Sequence, residues 1–294
     1  MEARQSPAAR PVYRVTRPGD EARLLEIWRG AYGGDTDCAE IYFRQLYRPG
    51  DGVVTEAEGT LCSAIYLIDG YQLHIPGERS RSCTYLYALG TPEAYRGKGY
   101  GGRTIWKSGV VGYERGADFV CFLPASPGLY RWYEGCIGTR TVFYRRTFTV
   151  SAAPDASGEC TSLTPARYCV LREELLAGTP HTQQPEKAAA LQAAYCRLYG
   201  GDLIRIRVGE TAGIAAFDRE GEVLTFRELL FPGGDPVRAA QAVLRTEGAA
   251  SAEVRTPAFL HTDLGTVGED NVLVPGGFTF PKTEVPPWWG FSMD

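Results

Sequence analysis

The order of hydrophobic patterns along this chain repeats once. Each half has two helical stretches, a hairpin and a further strand, followed by a loop, a helix and a strand. These stretches are residues 19–32, 37–47, 53–75, 82–90, 102–115 and 118–124 in the first half, and 166–177, 186–199, 202–217, 221–231, 235–247 and 251–256 in the second. The small polar stretch 151–164 is the best linker candidate. We therefore predict an α+β chain with two tandem domains, residues 12–150 and 151–294, each a mixed, mostly antiparallel sheet flanked by helices.

Three local features of the first half are also predicted. Glu58-Gly59 and Asp69-Gly70 are expected to form turns within 53–75, because Gly after an acidic residue is typical of tight turns. Residues 126–134 are expected to form a short helix, and residues 141–150 a strand that closes the first half.

A glycine-rich loop joins the strand at 82–90 to the helix that follows it. The segment AYRGKGYGGRTI, residues 94–105, contains four glycines, with Arg96 and Lys98 among them. The first N–H groups of a helix lack intrahelical acceptors and favour anions, and glycine lets the backbone come close to a phosphate. The loop lacks the G-K-[ST] ending of a P-loop. Its G-x-G-x-x-G spacing is a weak signal, because hairpins rather than a βαβ unit precede it. The segment therefore predicts a diphosphate-binding loop.

Composition narrows the possible partners. The 294 residues have a net charge of −4 with acids and bases scattered, so no basic surface for nucleic acid is indicated. No apolar run is long enough to span a membrane, and the N-terminal residues lack the apolar core of a signal peptide. These features lead us to expect a cytoplasmic protein.

Cysteine and histidine spacing gives no sign of a metal site. The chain has eight cysteines without a C-x-x-C pair and only three histidines, and none are grouped with zinc-ligand spacing. Several of the cysteines lie in apolar patterns, where a free thiol behaves as a small hydrophobic side chain. We therefore expect no metal and no Cys–His nucleophile.

The loop resembles the acetyl-CoA-binding motif of the GCN5-related N-acetyltransferases, the GNAT superfamily. Residues 96–101, RGKGYG, match its R/Q-x-x-G-x-G/A signature, and the flanking strand and helix stand in the family's order. The resemblance implies that acetyl-CoA is the co-substrate, with its pyrophosphate on the loop and its pantetheine arm along the preceding strand. The cofactor-binding residues that it implies are Leu89, Gly90, Thr91, Arg96, Gly97, Lys98, Gly99, Tyr100, Gly101, Gly102 and Ser126.

A second stretch, SPGLYRWYEGCIG, is similar to the family's N-x-x-A-x-x-x-Y motif. Ser126 stands at the Asn position, Leu129 at the Ala position and Tyr133 at the Tyr position. The resemblance implies that Tyr133 is the general acid that reprotonates the CoA thiolate. The alternative is that Tyr133 is only a packed aromatic residue.

The acceptor and the general base are less constrained. The family's acceptor site implies Glu26, Asp35 and Asp37 as residues that could attract a cationic amine, although acids at helix ends are often only solvated. The bulky apolar tail, PPWWGFSMD, is expected to pack back towards the first domain and bring Asp294 near the site as a further catalytic group.

The second half resembles the same fold without the motif. Its corresponding loop, FPGGDPVRAA, lacks the Arg/Gln and contains an Asp that would repel phosphate, so we predict that it binds no CoA. An active half joined to a degenerate half is similar to the tandem acetyltransferases of the enhanced-intracellular-survival type. An N-acetyltransferase for a primary amine is therefore the leading hypothesis. A CoA-binding sensor or pseudoenzyme without turnover remains the alternative, while the net acidic charge disfavours a relative that uses a tRNA-borne donor.

Overall fold

The computed structural model describes residues 10–33 and 36–290. Within them the helices are α1 (Glu21–Ala31), α2 (Asp37–Gln45), α3 (Tyr100–Glu114), α4 (Pro127–Ile137), α5 (Pro165–Leu176), α6 (Glu186–Leu198) and α7 (Pro236–Glu247). No helix in these two ranges combines the length and the apolar character needed to cross a bilayer.

The strands form two sheets. The first contains β1 (Val12–Val15), β2 (Gly52–Ala57), β3 (Thr60–His74), β4 (Arg81–Gly90), β5 (Phe119–Phe122), β6 (Arg140–Thr141), β9 (His181–Gln183) and β15 (Val272–Val274). The second contains β7 (Tyr144–Ser151), β8 (Glu159–Ser162), β10 (Asp202–Val208), β11 (Thr211–Glu220), β12 (Val223–Leu230), β13 (Ser251–Pro257) and β14 (Thr266–Glu269).

The two sheets share one pattern of strand directions. In the first sheet the order is β1-β2-β3-β4-β5-β15-β6, with β9 beside β3, and only the β4–β5 pair is parallel. In the second the order is β14-β7-β13-β12-β11-β10-β8, and only β12–β13 is parallel. Helices cover both sheets, so the prediction of two mixed, mostly antiparallel sheets flanked by helices is confirmed.

The sheets exchange strands across the predicted boundary at residue 150. β7 pairs with β13 and β14 of the second sheet, so the prediction that residues 141–150 close the first half was wrong. In return, β15 lies between β5 and β6 of the first sheet. The pairing is antiparallel in each case and joins residues at least a hundred positions apart. The division into residues 12–150 and 151–294 therefore stays a prediction. Strand pairing crosses this boundary in both directions.

The predicted turn at Asp69-Gly70 was also wrong. Strand β3 continues through it from Thr60 to His74, and the register with β4 shifts between Asp69 and Tyr71. Gly70 has φ of 108°, a conformation that suits glycine, so the extra residue is accommodated as a β-bulge. The continuation is held on its other side by β9.

Two consecutive tryptophans anchor the last described residues in both cores. Trp288 packs in the α5–α6 cluster of the second sheet, and its indole N–H donates to Glu228 Oε1 at 2.6 Å. Trp289 stacks on Tyr71 and Tyr85 of the first sheet, with ring centroids 4.9 and 5.3 Å away. The two side chains are 1% and 2% exposed, so the tail does pack back against the first-sheet core, as expected from its sequence.

Candidate active site

The site begins where two parallel strands separate. β4 and β5 pair only from Cys83–Tyr85 to Phe119–Cys121, whereas β4 continues to Gly90. Beyond the last pair a cleft of about 570 Å³ opens between the strand ends. Its walls at this end include Leu86 and Leu89 from β4 and the segment Phe122–Ala125 after β5. A separation of this kind lets an extended chain molecule lie between two strands and face their backbone groups.

A bulge turns the β4 backbone at the mouth of this gap. Opposite β3, the register changes by one residue between Tyr87 and Gly90, and Ala88 has φ of 53°. Positive φ is costly for a residue with a side chain and is commonly found at functional sites. Both Ala88 and Leu89 line the cleft. The bulge therefore presents local backbone at the position where the two strands part.

Tyr32, at the end of α1, supports this bulge and was not foreseen from the sequence. Its hydroxyl donates to the Leu89 carbonyl at 3.0 Å. Although 43% of the residue is exposed, burial around the hydroxyl raises the pKa of Tyr32 above its ordinary value. A Tyr after a helix carries no local signal of such a role, because its partner lies 57 residues further along.

The glycine loop leads directly into α3 and leaves its first turn uncapped. Gly99 is the N-cap residue, with φ of 76°, and no side chain accepts a hydrogen bond from the helix. The first intrahelical bond of this end runs from the Arg103 N–H to the Gly99 carbonyl. A Cβ added at Gly97 or Gly99 would meet no atom within 4 Å, so the loop faces open space. With Lys98 and Arg96 exposed beside it, this helix end can bind an anion.

The remaining residues predicted in this loop hold it in place. The Arg96 Nε donates to the Thr91 carbonyl at 3.0 Å. Ser63 donates to the Gly90 carbonyl at 3.0 Å and shares a 2.9 Å hydrogen bond with the Thr91 hydroxyl. A Cβ at Gly101 would lie 3.2 Å from that hydroxyl, whereas one at Gly102 would be 3.8 Å from Cys136 Sγ. Tyr100, half-buried, begins the helix.

Tyr133 faces the same cleft from α4. Its ring packs edge-on against Phe122 at 4.6 Å, and the residue is 6% exposed. Burial raises the pKa of Tyr133 further above neutral pH, where an ordinary tyrosine is already protonated. Ser126 is the N-cap residue of α4, although its side chain accepts no helix N–H. The structure thus brings Tyr133 and Leu89 to one cleft.

The opposite wall of the cleft comes from the second sheet and its helices. Its residues follow the motifs in sequence, from 12 to 94 positions after Tyr133, and are Arg145, Gln192, Tyr195, Cys196, Tyr199, Asp218 and Arg227. Hydrogen bonds join the two sides: Tyr87 donates to the Tyr195 hydroxyl at 3.1 Å, and Tyr195 donates to the Cys38 carbonyl at 3.1 Å. Sequence reasoning missed all of these residues, because they come to the site only through the tertiary packing of the two sheets and of α2 on α6.

The acids predicted to bind the acceptor do not meet in this cleft. Glu26 pairs with Arg23 at 2.6 Å on the exposed face of α1. Asp37 is exposed in the first turn of α2. Neither lines the cleft. Asp35 and Asp294 lie outside the described residues, so their predicted roles stay predictions.

No metal cluster is evident in the part of the chain that the structure describes. Within residues 10–33 and 36–290, no group of three or more His, Cys, Asp and Glu side chains is arranged to hold an ion.

Comparison with known proteins agrees with this geometry. Residues 12–134 match the sequence model of the acetyltransferase (GNAT) domain. No curated protein sequence matches the chain. Among solved structures, Eis1 from Mycobacterium abscessus superposes with a TM-score of 0.65 at 13% identity, over 90% of this chain and 73% of that one.

Two further structures show the same fold. A GCN5-related N-acetyltransferase from Anabaena variabilis gives a TM-score of 0.65 at 13% identity, over 90% of this chain and 72% of that one. A tandem GNAT protein from the clavulanic acid biosynthesis pathway gives 0.50 at 11% identity, over 90% and 98%. At these identities the likeness concerns the fold, which is that of two tandem units of one type.

Proposed function

We propose that this chain, a tandem-domain protein of the GNAT superfamily, transfers an acetyl group from acetyl-CoA directly to a primary amine. The family match and the fold support acyl transfer in general terms. The observation that carries the finer proposal is the combination of an uncapped, glycine-initiated helix with a strand gap beside it.

Acetyl-CoA would bind to the first-sheet half. Its pyrophosphate would accept hydrogen bonds from the free N–H groups at the start of α3, where Arg96 and Lys98 add positive charge. The pantetheine arm would enter the gap beyond Tyr85 and reach the bulge at Ala88. The thioester would then lie in the 570 Å³ cleft, which Tyr133 also lines.

The chemistry needs a neutral amine, an oxyanion donor and a proton for the leaving sulfur. The amine nitrogen attacks the thioester carbon, and a backbone N–H of the β4 bulge stabilises the developing oxyanion. The C–S bond then breaks, Tyr133 gives its proton to the CoA thiolate, and the amine proton leaves through a base or water. A tyrosine with its ordinary pKa of about 10 is protonated at neutral pH, so Tyr133 is available as the donor, although burial raises its pKa and makes it a weaker acid. Asp294 stays a predicted contributor, and unchanged turnover after removal of residues 291–294 would contradict it.

Thermal melting with acetyl-CoA tests the binding step. A ligand at roughly 100 times its Kd stabilises the native state by about 2.7 kcal/mol, so the midpoint should rise by several degrees. Gly99→Glu places a carboxylate at the helix start and should abolish the shift.

Gly233→Glu is the matched control for this experiment. Gly233 lies in the corresponding loop before α7, has the same φ of 76° as Gly99, and likewise faces open space. The two variants carry the same charge change and the same backbone strain, so only the position differs. Equal loss of the shift in both, or no shift in the wild type, would sink the proposal.

A further inference from the structure

The charged residues that line the cleft all come from the second sheet, unlike the rest of the lining. Arg145 on β7, Asp218 on β11 and Arg227 on β12 all line the cleft and all belong to the second sheet. This wall therefore carries two guanidinium groups and one carboxylate. The lining also contains several aromatic side chains, with Trp28, Tyr87 and Tyr195 among them.

The carboxylate of this wall already has a cation beside it. The Arg227 Nε donates to Asp218 Oδ2 at 2.6 Å, and the two side chains are 22% and 15% exposed. Each group of such a short, partly buried pair keeps its charge, but the pair as a whole carries little net charge. Asp218 is consequently a poor partner for a second cation.

Arg145 is differently placed. Its Nη1 forms an ion pair with Asp270 Oδ1 at 3.8 Å, which is beyond hydrogen-bond distance, so the charge has a partner but its N–H groups do not donate to that carboxylate. Its guanidinium makes no hydrogen bond to any described residue, and its side chain is 25% exposed at the cleft. An arginine presents five donors in a planar fork that matches a carboxylate. The wall therefore keeps guanidinium N–H donors beside the cleft from which a carboxylate can accept.

We infer that the acceptor amine also bears a carboxylate and that Arg145 is the residue that binds it. This inference rests on the proposed acetyl transfer and narrows its acceptor to an amino acid, an ω-amino acid or a peptide. The aromatic lining accommodates the carbon chain between the amine and the carboxylate. A purely cationic polyamine would instead bring a second positive charge towards Arg145, which is unfavourable.

A series of matched acceptors tests this inference. Glycine, β-alanine, γ-aminobutyrate and aminohexanoate are each compared with the alkylamine that lacks only the carboxylate. For at least one chain length, the wild type should acetylate the carboxylated amine with kcat/KM at least about tenfold higher, as expected for a charge-assisted hydrogen bond. Because the contact is remote from the reacting atoms, the preference should lie in KM rather than in kcat. The preferred chain length would measure the span from Arg145 to the thioester.

Variants identify the residue responsible. Arg145→Gln should remove the preference, so that the two members of each pair react alike, and Arg145→Lys should restore part of it because the charge returns without the fork. Arg207→Gln is the control, since Arg207 is an exposed arginine on β10 of the same sheet that does not line the cleft. It should keep the wild-type preference.

The outcomes separate this inference from the proposed function. Equal rates within every pair for the wild type, or a preference that survives in Arg145→Gln, would overturn the role of Arg145 even if acetyl-CoA binds as proposed. If no amine reacts, thermal melting of the wild-type acetyl-CoA complex is measured with the same pairs of amines. If no carboxylated amine raises the melting midpoint, the role of Arg145 is also overturned. Failure of acetyl-CoA itself to bind would instead contradict the proposed function.

Discussion

The helix starts at α3 and α7 occupy corresponding positions in the two halves and differ in one decisive respect. At α3 the N-cap is Gly99, and no side chain accepts a bond from the first turn. At α7 the N-cap is Asp235, whose Oδ1 accepts from the N–H groups of Val237 and Arg238 at 2.8 and 3.3 Å. The first helix start can receive an external anion, whereas the second already holds its own.

The strand gaps differ in the same way. β12 and β13 pair in parallel over Val223–Phe226 and Ser251–Val254 and then part, as β4 and β5 do. In the second sheet the buried Thr256 hydroxyl donates to the Leu229 carbonyl at 2.8 Å and spans the opening. In the loop before α7, a Cβ added at Gly234 would clash with the Phe231 ring. One half thus keeps its backbone groups available for a ligand, and the other uses side chains to satisfy them. These contacts support the prediction that the second half binds no CoA.

The largest effect is expected from Tyr133→Phe in the first-sheet half. Loss of a general acid lowers kcat by roughly 100-fold or more, while acetyl-CoA affinity stays unchanged because the loop is untouched. Steady-state acetylation and calorimetric binding measure the two quantities. Tyr168→Phe removes a buried hydroxyl of the second-sheet half that donates to Glu228 at 2.6 Å, and serves as the control with wild-type kcat. Equal losses in both variants would contradict the assignment, and a wild type without turnover would favour the sensor alternative.

Arg172→Ala should have the next largest effect, on stability. Arg172 donates through Nε to Glu228 at 3.1 Å and through its other nitrogens to the carbonyls of Thr182 and Trp289. Removing one partner of a fully buried ion pair costs about 3–5 kcal/mol. Because Trp289 belongs to the first-sheet core, urea unfolding followed by tryptophan fluorescence should remain a single, earlier transition. Two separated transitions would show that the halves are stabilised independently.

Asp235→Ala should have a smaller effect. Loss of the N-cap destabilises α7 by about 1 kcal/mol. Removing the carboxylate should not create an acetyl-CoA site, because the Thr256 bond still closes the strand gap. Urea unfolding of Asp235→Ala measures the loss of stability. To test for a new acetyl-CoA site, Gly99→Glu and the double variant Gly99→Glu/Asp235→Ala are melted with acetyl-CoA. A melting shift only in the double variant would show that removing Asp235 created one.

The smallest effect is expected at an ion pair on the edge of the first sheet. A hydrogen bond from Arg14 holds the pKa of Asp20 below its ordinary value. A carboxyl with a lowered pKa stabilises the fold above the ordinary value, about 3.9, and this contribution disappears as the pH falls through the lower native value. Asp20→Asn should therefore cost at most about 1 kcal/mol near neutral pH and progressively less below pH of about 4. A urea series over pH measures this, and a difference that grows on acidification would contradict it.

Elements whose structure is determined by neighbouring residues could be predicted from the sequence. The helical patterns at 102–115 and 126–134 are such local signals, and α3 and α4 match them to within three residues at each end. The prediction of a turn at Asp69-Gly70 was wrong because a glycine with positive φ fits a turn and a β-bulge equally well. Pairing with β4 determines that a bulge forms here. The three-residue strand β15 has too little pattern of its own to be assigned, since its position is fixed by β5 and β6.

The acceptor side of the cleft lay beyond sequence reasoning for a related physical reason. Acids such as Glu26 were chosen because charge is visible in sequence, although Arg23 already pairs with it. Arg145 gave no signal, because its significance depends on which carboxylates lie near it after folding. Charges can be counted from a sequence, whereas the charges that remain unmatched are a property of the tertiary structure.

The exchange of β7 and β15 between the sheets has a consequence for cotranslational folding. During synthesis the first sheet lacks β15 until residues 272–274 have left the ribosome, so one edge of β5 remains unpaired until then. Closing this gap is a contact of very long sequence separation, which makes it a slow step in folding. A fragment cut at residue 134, where the family match ends, would retain that open edge and lose Trp289 from its core. We therefore expect such a fragment to associate with copies of itself through β5 rather than to behave as an independent domain.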